Sequence, residues 1–194
     1  MNVGVLGGTF NPPHNGHLLL AESARVELGL DLVLFVPAWR SPFKDGGGVP
    51  DAETRCEMVA LAVSDNPFFA CDHFEALRPT VSYTVDTLRH LRATRPDDTL
   101  HLLLGADAFA EFHLWRDPDE IVHLATLAVA RRGAAEAPLH TSPYGTHARS
   151  FRMPAVDFSS TDIRARAREG KSVRYLVPWT VATFIEATGL YRDP

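Results

Sequence analysis

The sequence predicts a doubly wound α/β domain, in which helices cover both faces of a parallel β-sheet. Short apolar runs alternate along the chain with longer amphipathic stretches, the order typical of successive strand–helix–strand units. The amphipathic stretches show helical periodicity: Leu18, Ala21 and Leu28 fall on one stripe. A length of 194 residues suits one such domain and leaves little room for a second.

The elements follow in order along the chain. Six buried strands are expected, at Val3–Leu6, Leu32–Val36, Phe68–Cys71, Leu100–Leu104, Leu127–Ala130 and Met153–Val156. Seven helices are expected, at about 15–29, 51–65, 83–95, 105–112, 117–124, 160–169 and 179–188. Asp51 follows Pro50 and is placed to cap the second helix. We therefore expect a single domain over 1–194, in which about 160–194 form a small C-terminal helical extension.

Two stretches depart from the alternation. Arg40–Pro50 is rich in turn-forming residues and holds three consecutive glycines, while Arg131–Ser150 is polar with small residues and prolines. Both are expected to be loops, and loops of this kind often carry binding residues.

Charge and composition exclude several classes of function. The net charge is −5, whereas a general nucleic-acid binder normally has a basic excess, so no nucleic-acid partner is expected. No apolar run is long enough for a membrane helix, and the start of the chain lacks a basic signal-peptide region. Two cysteines are too few for disulfides to stabilise a fold of this size, and their spacing does not match a metal-binding motif. This favours a reducing, cytoplasmic setting. The oligomeric state is not readable from the sequence.

The segment Gly7–His17 (GGTFNPPHNGH) links the first strand to the first helix and is the most informative part of the chain. Glycines let the backbone approach a ligand closely, and a helix N-terminus attracts phosphate. His14 and His17, three residues apart, can project on one side, with Gly16 keeping that side open. A zinc site would need further ligands nearby, and none is present. The segment therefore favours a phosphate site, although a Gly/Pro turn with incidental histidines is the simpler alternative.

This segment resembles the HxGH signature of the nucleotidylyltransferase superfamily and, within it, is most similar to the bacterial nicotinate-nucleotide adenylyltransferases. Three further blocks fall in the family's order: the Ser-Tyr-Thr block at 82–88, Gly105-Ala106-Asp107 followed by Trp115, and the Ser-Ser-Thr-x-Ile-Arg block at 159–164. The resemblance covers nearly the whole chain. It implies a Rossmann-like sheet with the site at the carboxyl ends of the strands.

The resemblance implies transfer of AMP from ATP to nicotinate mononucleotide, which gives nicotinate adenine dinucleotide and pyrophosphate in NAD biosynthesis. Mg²⁺ is expected to accompany ATP, held mainly by phosphates and water. The implied catalytic residues are His14, His17 and Arg164. The implied ATP-binding residues are Gly7, Gly8, Thr9, Phe10, His14, His17, Gly105, Asp107, Ser160, Thr161, Ile163 and Arg164. The implied mononucleotide-binding residues are Lys44, Thr84, Trp115 and Arg116.

Each of these roles has a simpler structural alternative. Ser160 or Thr161 could merely cap a helix that carries a surface Arg164, and Asp107 could be a helix cap. Trp115 could pack in the core rather than stack on the pyridine ring. Lys44 could be an ordinary surface lysine.

The sequence also departs from the commonest family pattern. Trp39 and Phe43 stand where many members have asparagine and histidine, which leaves the substrate contacts of the 40–50 loop open. Whether Arg131 and Arg132 add phosphate contacts is open too.

Two alternative functions are also compatible with the sequence. One is a different adenylyl- or cytidylyltransferase of the superfamily, acting on a phosphopantetheine or an alcohol phosphate. The other is a nucleotide-binding regulator without catalysis, which would bind ATP without turnover.

Overall fold

A computed structural model describes residues 1–42, 49–132, 139 and 142–192. Six parallel strands form one sheet in the order β3-β2-β1-β4-β5-β6. The strands are β1 (Asn2–Gly8), β2 (Leu32–Pro37), β3 (Phe69–Cys71), β4 (Thr99–Leu104), β5 (Thr126–Arg132) and β6 (Ala148–Met153). The helices are α1 (Asn15–Leu28), α2 (Ala52–Val63), α3 (Thr84–Thr94), α4 (Ala106–Ala110), α5 (Pro118–Leu124), α6 (Ser160–Arg168) and α7 (Trp179–Thr188).

Helices cover both faces of the sheet, and each face has its own hydrophobic core. One core joins α1, α2, α6 and α7, with Met58 and Ile185 among its buried residues. The other joins α3, α4 and α5, with Leu88 and Ile121 among its buried residues. This arrangement confirms the predicted doubly wound α/β class. The C-terminal helices α6 and α7 contribute to the first core, so they pack on the same face of the sheet as α1.

The strand order reverses between β1 and β4. The chain leaves β1 toward β2 and β3 on one side, and returns to β4 on the other. In open parallel sheets, the crevice at such a reversal opens beyond the carboxyl ends of the strands and is the usual place for a ligand. The segments that follow Gly8 in β1 and Leu104 in β4 therefore border the candidate site.

Two predicted elements were misplaced. The sixth strand is Ala148–Met153 rather than Met153–Val156, so the predicted 131–150 loop contains its first residues. Only Phe151 and Met153 of this edge strand are buried, and its two arginines are exposed, which gives it a polar composition. Pro154 then ends the strand, because proline has no N–H to donate to a neighbour.

The predicted 105–112 helix is also shorter than expected. Helix α4 ends at Ala110, and a 3₁₀ turn over Phe112–Leu114 follows. This change of helix type keeps both Phe109 and Phe112 buried in one core while the chain turns toward α5. In the described part of the chain, no helix has the length and apolar character needed to cross a membrane.

Candidate active site

The junction between β1 and α1 holds the two histidines side by side. The backbone N–H of His14 donates to Nδ1 of His17 over 3.1 Å, and the two rings stack with centroids 3.7 Å apart. Because Nδ1 of His17 accepts this bond, the proton of the neutral ring is placed on Nε2. His17 can therefore offer Nε2–H as a donor, in an orientation fixed by the start of the helix.

Glycines set the shape of this junction. A Cβ on Gly16 would lie 3.0 Å from Nδ1 of His14, so a side chain there would displace that ring. A Cβ on Gly8 would lie 3.1–3.3 Å from the ring of Phe10, which is buried and has a φ of 50°. A Cβ on Gly7 would meet nothing within 4 Å, so the backbone there borders open space. The predicted close approach of a ligand is thus sterically allowed at Gly7.

Helix α6 is tied to the same junction through its first residues. Ser160 Oγ donates to the carbonyl of Pro12 over 2.9 Å. Arg164 donates through Nη1 to the carbonyl of Asn11 over 2.9 Å, and through Nη2 to Thr161 over 3.2 Å. The motif block at 159–164 therefore sits against the segment that leads into the histidine pair.

The cap of α6 differs from the predicted one. The cap of the helix is Ser159, whose Oγ accepts the N–H of Asp162 over 3.0 Å, rather than Ser160 or Thr161. Ser160 begins the helix proper, so its hydroxyl is left to bridge to the preceding loop. Ile163 is buried in the core, and its N–H donates to the carbonyl of Ser159.

A cavity of about 470 Å³ opens beside this junction at the carboxyl ends of β1 and β4. Its apolar walls include Leu102, Leu104 and Ile121. Six of the predicted site residues line it: Gly7, Gly8, Thr9, Thr84, Trp115 and Arg116. The cavity thus brings together residues from the first motif block and residues predicted to contact the mononucleotide.

Trp115 lies between the core and this cavity. It is half-buried, and its ring centroid is 5.5 Å from that of Phe112 at an interplanar angle of 50°. The guanidinium of Arg116 lies 4.6 Å from the ring centroid of Tyr83, at the base of α3. Trp115 therefore packs against the core and also lines the cavity, so core packing does not exclude the predicted contact with a pyridine ring.

Other predicted residues lie at the start of α4, at the end of β5 or outside the described part of the chain. Gly105 precedes α4, where a Cβ would meet nothing within 4 Å, and Asp107 is exposed in the first turn of that helix. Lys44 and Phe43 lie outside the described residues. Arg131 and Arg132 are the last residues of β5 rather than part of a loop.

The model of the cytidylyltransferase-like family matches residues 5–166. The chain belongs to the cytidylyltransferase-like family.

Curated relatives match this cytidylyltransferase-like protein over nearly its whole length. A relative from Thermus thermophilus is 47% identical over 99% of this chain and 100% of its own. One from Desulfitobacterium hafniense is 42% identical over 98% of this chain and 95% of its own. Both are named "probable nicotinate-nucleotide adenylyltransferase", so the predicted family resemblance is confirmed.

The fold is shared with a Plasmodium falciparum nicotinic acid mononucleotide adenylyltransferase solved in complex with APC. The TM-score is 0.79 at 15% sequence identity, and the match covers 98% of this chain and 96% of that one. At this identity the likeness establishes the arrangement of strands and helices alone.

In this cytidylyltransferase-like chain, a buried arginine that sequence reasoning missed holds the site loops in place. Arg55 is 1% exposed, and its guanidinium donates to the carbonyls of Thr9 (2.8 Å), Trp39 (2.9 Å) and Pro50 (3.1 Å). Desolvation lowers its pKa, although an arginine remains charged at neutral pH. One side chain thus joins the loop after β1, the loop after β2 and the start of α2.

A buried carboxyl group in the cavity wall was also missed. Glu75 is 8% exposed and accepts a hydrogen bond from the hydroxyl of Thr87. Burial raises the pKa of Glu75, and hydrogen bonds from Thr87 and Ser82 partly oppose that rise. Ser82 in turn accepts the N–H of Trp39 over 3.0 Å. Neither Glu75 nor Arg55 could be singled out from residue spacing, because their partners lie in other segments of the chain.

Proposed function

We propose that this chain transfers the adenylyl group of ATP to the phosphate of nicotinate mononucleotide, which forms nicotinate adenine dinucleotide and releases pyrophosphate. A phosphate oxygen of the mononucleotide attacks the α-phosphorus of ATP, and the bond from that phosphorus to the bridging oxygen of the β-phosphate breaks. No covalent enzyme intermediate is needed. Catalysis then consists of aligning the two nucleotides and stabilising the charge that develops on the phosphates.

The observation that carries the proposal is the stacked histidine pair at the start of α1, beside a cavity that opens at the strand reversal. His17, with Nδ1 occupied by the His14 N–H, is assigned to donate from Nε2 to an α-phosphate oxygen. His14, stacked on His17, is assigned to the neighbouring phosphates. The backbone at Gly7, Gly8 and Thr9 is assigned to the phosphates that react with each other, because a glycine-lined backbone lets a ligand approach closely.

Arg164 and the first turn of α6 are assigned to the leaving pyrophosphate. The guanidinium already bonds to Asn11 and Thr161 at the edge of the junction. A guanidinium carries five N–H groups, so donors are left for phosphate oxygens in addition to these two bonds. Ser160 and Thr161 lie in the same turn, and Gly105 and Asp107 are assigned to the nucleoside of ATP at the end of β4.

The cavity is assigned to the mononucleotide. Trp115 offers a half-buried aromatic surface to the pyridine ring, and Thr84 and Arg116 supply donors suited to its carboxylate. The volume of about 470 Å³ falls in the range of small-molecule sites. Lys44, outside the described residues, stays a proposed phosphate contact.

Magnesium fits this site as a companion of ATP rather than as a ligand of a protein cage. Among the described residues, the histidine pair and the cavity wall contribute to no group of three metal-binding side chains. Bound to the triphosphate through its oxygens and water, Mg²⁺ would offset the negative charge of the leaving pyrophosphate. We also propose a cytoplasmic location, since both cysteines are free thiols.

The test measures pyrophosphate release from ATP with one phosphate acceptor present at a time. Nicotinate mononucleotide, nicotinamide mononucleotide and a phosphopantetheine are compared at equal concentration. The proposal predicts turnover with nicotinate mononucleotide at a higher kcat/KM than with the amide, and none with phosphopantetheine. Turnover with phosphopantetheine alone would move the chain to another transferase of its family. Binding of ATP with no turnover for any acceptor would favour a regulator.

A further inference from the structure

A second cluster of reactive side chains lies outside the cavity and the histidine pair. Cys56 in α2, Cys71 at the end of β3 and His73 just beyond it bring their two sulfurs and an imidazole nitrogen within 4.8 Å of one another. Both cysteines are free thiols, and the sulfur of Cys71 lies 3.8 Å from the carbonyl oxygen of Cys56. Adenylyl transfer as proposed above uses none of these three residues.

The distances are close to those of a tetrahedral metal site. Zinc bound at its usual lengths to two sulfurs and one nitrogen separates these atoms by about 3.5 to 3.8 Å. The ligand atoms lie within 4.8 Å of one another, so their separations need to close by at most roughly 1 Å on binding. His73 is exposed, so its side chain is free of the packing that would resist this movement.

The backbone fixes the turn that presents two of the three ligands. Cys71 pairs with Phe35 in the sheet register, and the N–H of Asp72 donates to the Phe35 carbonyl over 2.8 Å. The Asp72 carboxylate then accepts the N–H of Phe74 over 2.8 Å, an Asx turn that reverses the chain around His73. Cys71 and His73 are thus held in a defined relation before any ion binds.

The third ligand comes from a buried position within α2. Cys56 is 3% exposed and packs with Ala52 and Ala76, and Cys71 lies against the same small cluster. An apolar shell around two sulfurs strengthens their interaction with a cation, because water competes less effectively there. The solvent side, where His73 lies, gives an ion a path of entry and leaves a fourth position for water.

We propose that Cys56, Cys71 and His73 form a binding site for a thiophilic divalent cation of the zinc class, independent of the adenylyltransferase site. Two thiolates and one imidazole select zinc or cobalt over magnesium, which prefers oxygen ligands. The bound ion would join α2 to the end of β3. Because Arg55 precedes Cys56, the ion would brace the same turn of α2 that holds the carbonyls of Thr9 and Trp39.

The test uses the full chain, reduced and freed of metal, titrated with Co²⁺ and then with Zn²⁺. One equivalent of Co²⁺ should give thiolate-to-cobalt charge-transfer absorption and the intense visible bands of a tetrahedral ion. Zn²⁺ should displace it and raise Tm, because it binds the folded state preferentially. His73→Ala should weaken the apparent affinity by about tenfold or more. Cys71→Ser should lower the charge-transfer absorption per bound cobalt.

His113→Ala is the matched control, since His113 is an exposed histidine whose ring bonds to the carbonyl of Ala110 in the preceding turn. It should leave the cobalt spectrum and affinity unchanged. Absence of charge-transfer absorption while both thiols remain titratable would overturn the proposal. So would cobalt binding of unchanged strength in both His73→Ala and Cys71→Ser, because the ion would then be bound elsewhere, for example at the histidine pair. Neither readout depends on adenylyl transfer.

Discussion

Replacing Arg55 with lysine tests whether this side chain organises the site loops. The guanidinium donates through three separate nitrogens to three carbonyls, those of Thr9, Trp39 and Pro50. A single ammonium group in the same buried space can reach one or two of them. Each hydrogen bond from a charged donor is worth about 1.5 to 3 kcal/mol. Loss of one or two bonds therefore predicts a decrease of about 1.5 to 6 kcal/mol in the free energy of unfolding.

Urea denaturation of Arg55→Lys measures that decrease. The matched control is Arg166→Lys, because Arg166 also donates to a backbone carbonyl, that of Ser172, but is exposed. The control should change the unfolding free energy by no more than about 0.5 kcal/mol. Kinetic assays of Arg55→Lys should show a raised KM for both substrates, since the loops that lose these hydrogen bonds border the cavity. Equal stabilities for the two variants would refute the reasoning.

Three further changes have expected outcomes of different kinds. Trp115→Ala should raise the KM for the mononucleotide about tenfold and leave ATP binding unchanged. The control is Trp179→Ala, at an exposed tryptophan of α7. Weakened ATP binding in Trp115→Ala would contradict the assignment of the cavity to the mononucleotide. Gly16→Ala should lower kcat with little change in Tm, because its Cβ would lie 3.0 Å from His14 Nδ1; an unaltered kcat would show that the ring position is unimportant. Burial raises the pKa of Glu75 in the folded state above its ordinary value. The protonated carboxyl therefore contributes its full stabilisation of the folded state below the ordinary pKa, and this contribution is lost as pH rises through the raised pKa. Glu75→Gln should therefore gain in Tm relative to the unmutated chain as pH increases above about 4.5, and a difference independent of pH would contradict this.

The sequence was sufficient to predict the order of strands and helices, because buried parallel strands appear as continuous apolar runs. It misplaced the sixth strand, an edge strand in which Phe151 and Met153 are buried while Arg149 and Arg152 are exposed. It also predicted one helix where α4 ends at Ala110 and a 3₁₀ turn follows. These errors arise where tertiary packing, rather than local periodicity, decides which residues are buried. The single-domain organisation stays a prediction.

The motif blocks identified residues that the structure gathers at one end of the sheet. The histidine pair and the α6 block meet at the segment of Asn11 and Pro12, and the cavity collects Thr84 and Trp115. What spacing could not predict is the set of charged groups with partners far along the chain. Arg55 bonds to carbonyls in three separate segments, and it reads in the sequence as an ordinary helical residue.

The most direct measurement compares His17→Ala with the unmutated chain in two assays: steady-state turnover of ATP with nicotinate mononucleotide, and equilibrium binding of ATP. His17 is assigned to charge that develops at the α-phosphate during transfer. Removal of one such preorganised donor lowers kcat by about 100- to 1,000-fold. We expect this loss with a change of less than about threefold in the Kd of ATP. Equal losses in turnover and affinity, or full turnover without His17, would contradict the account.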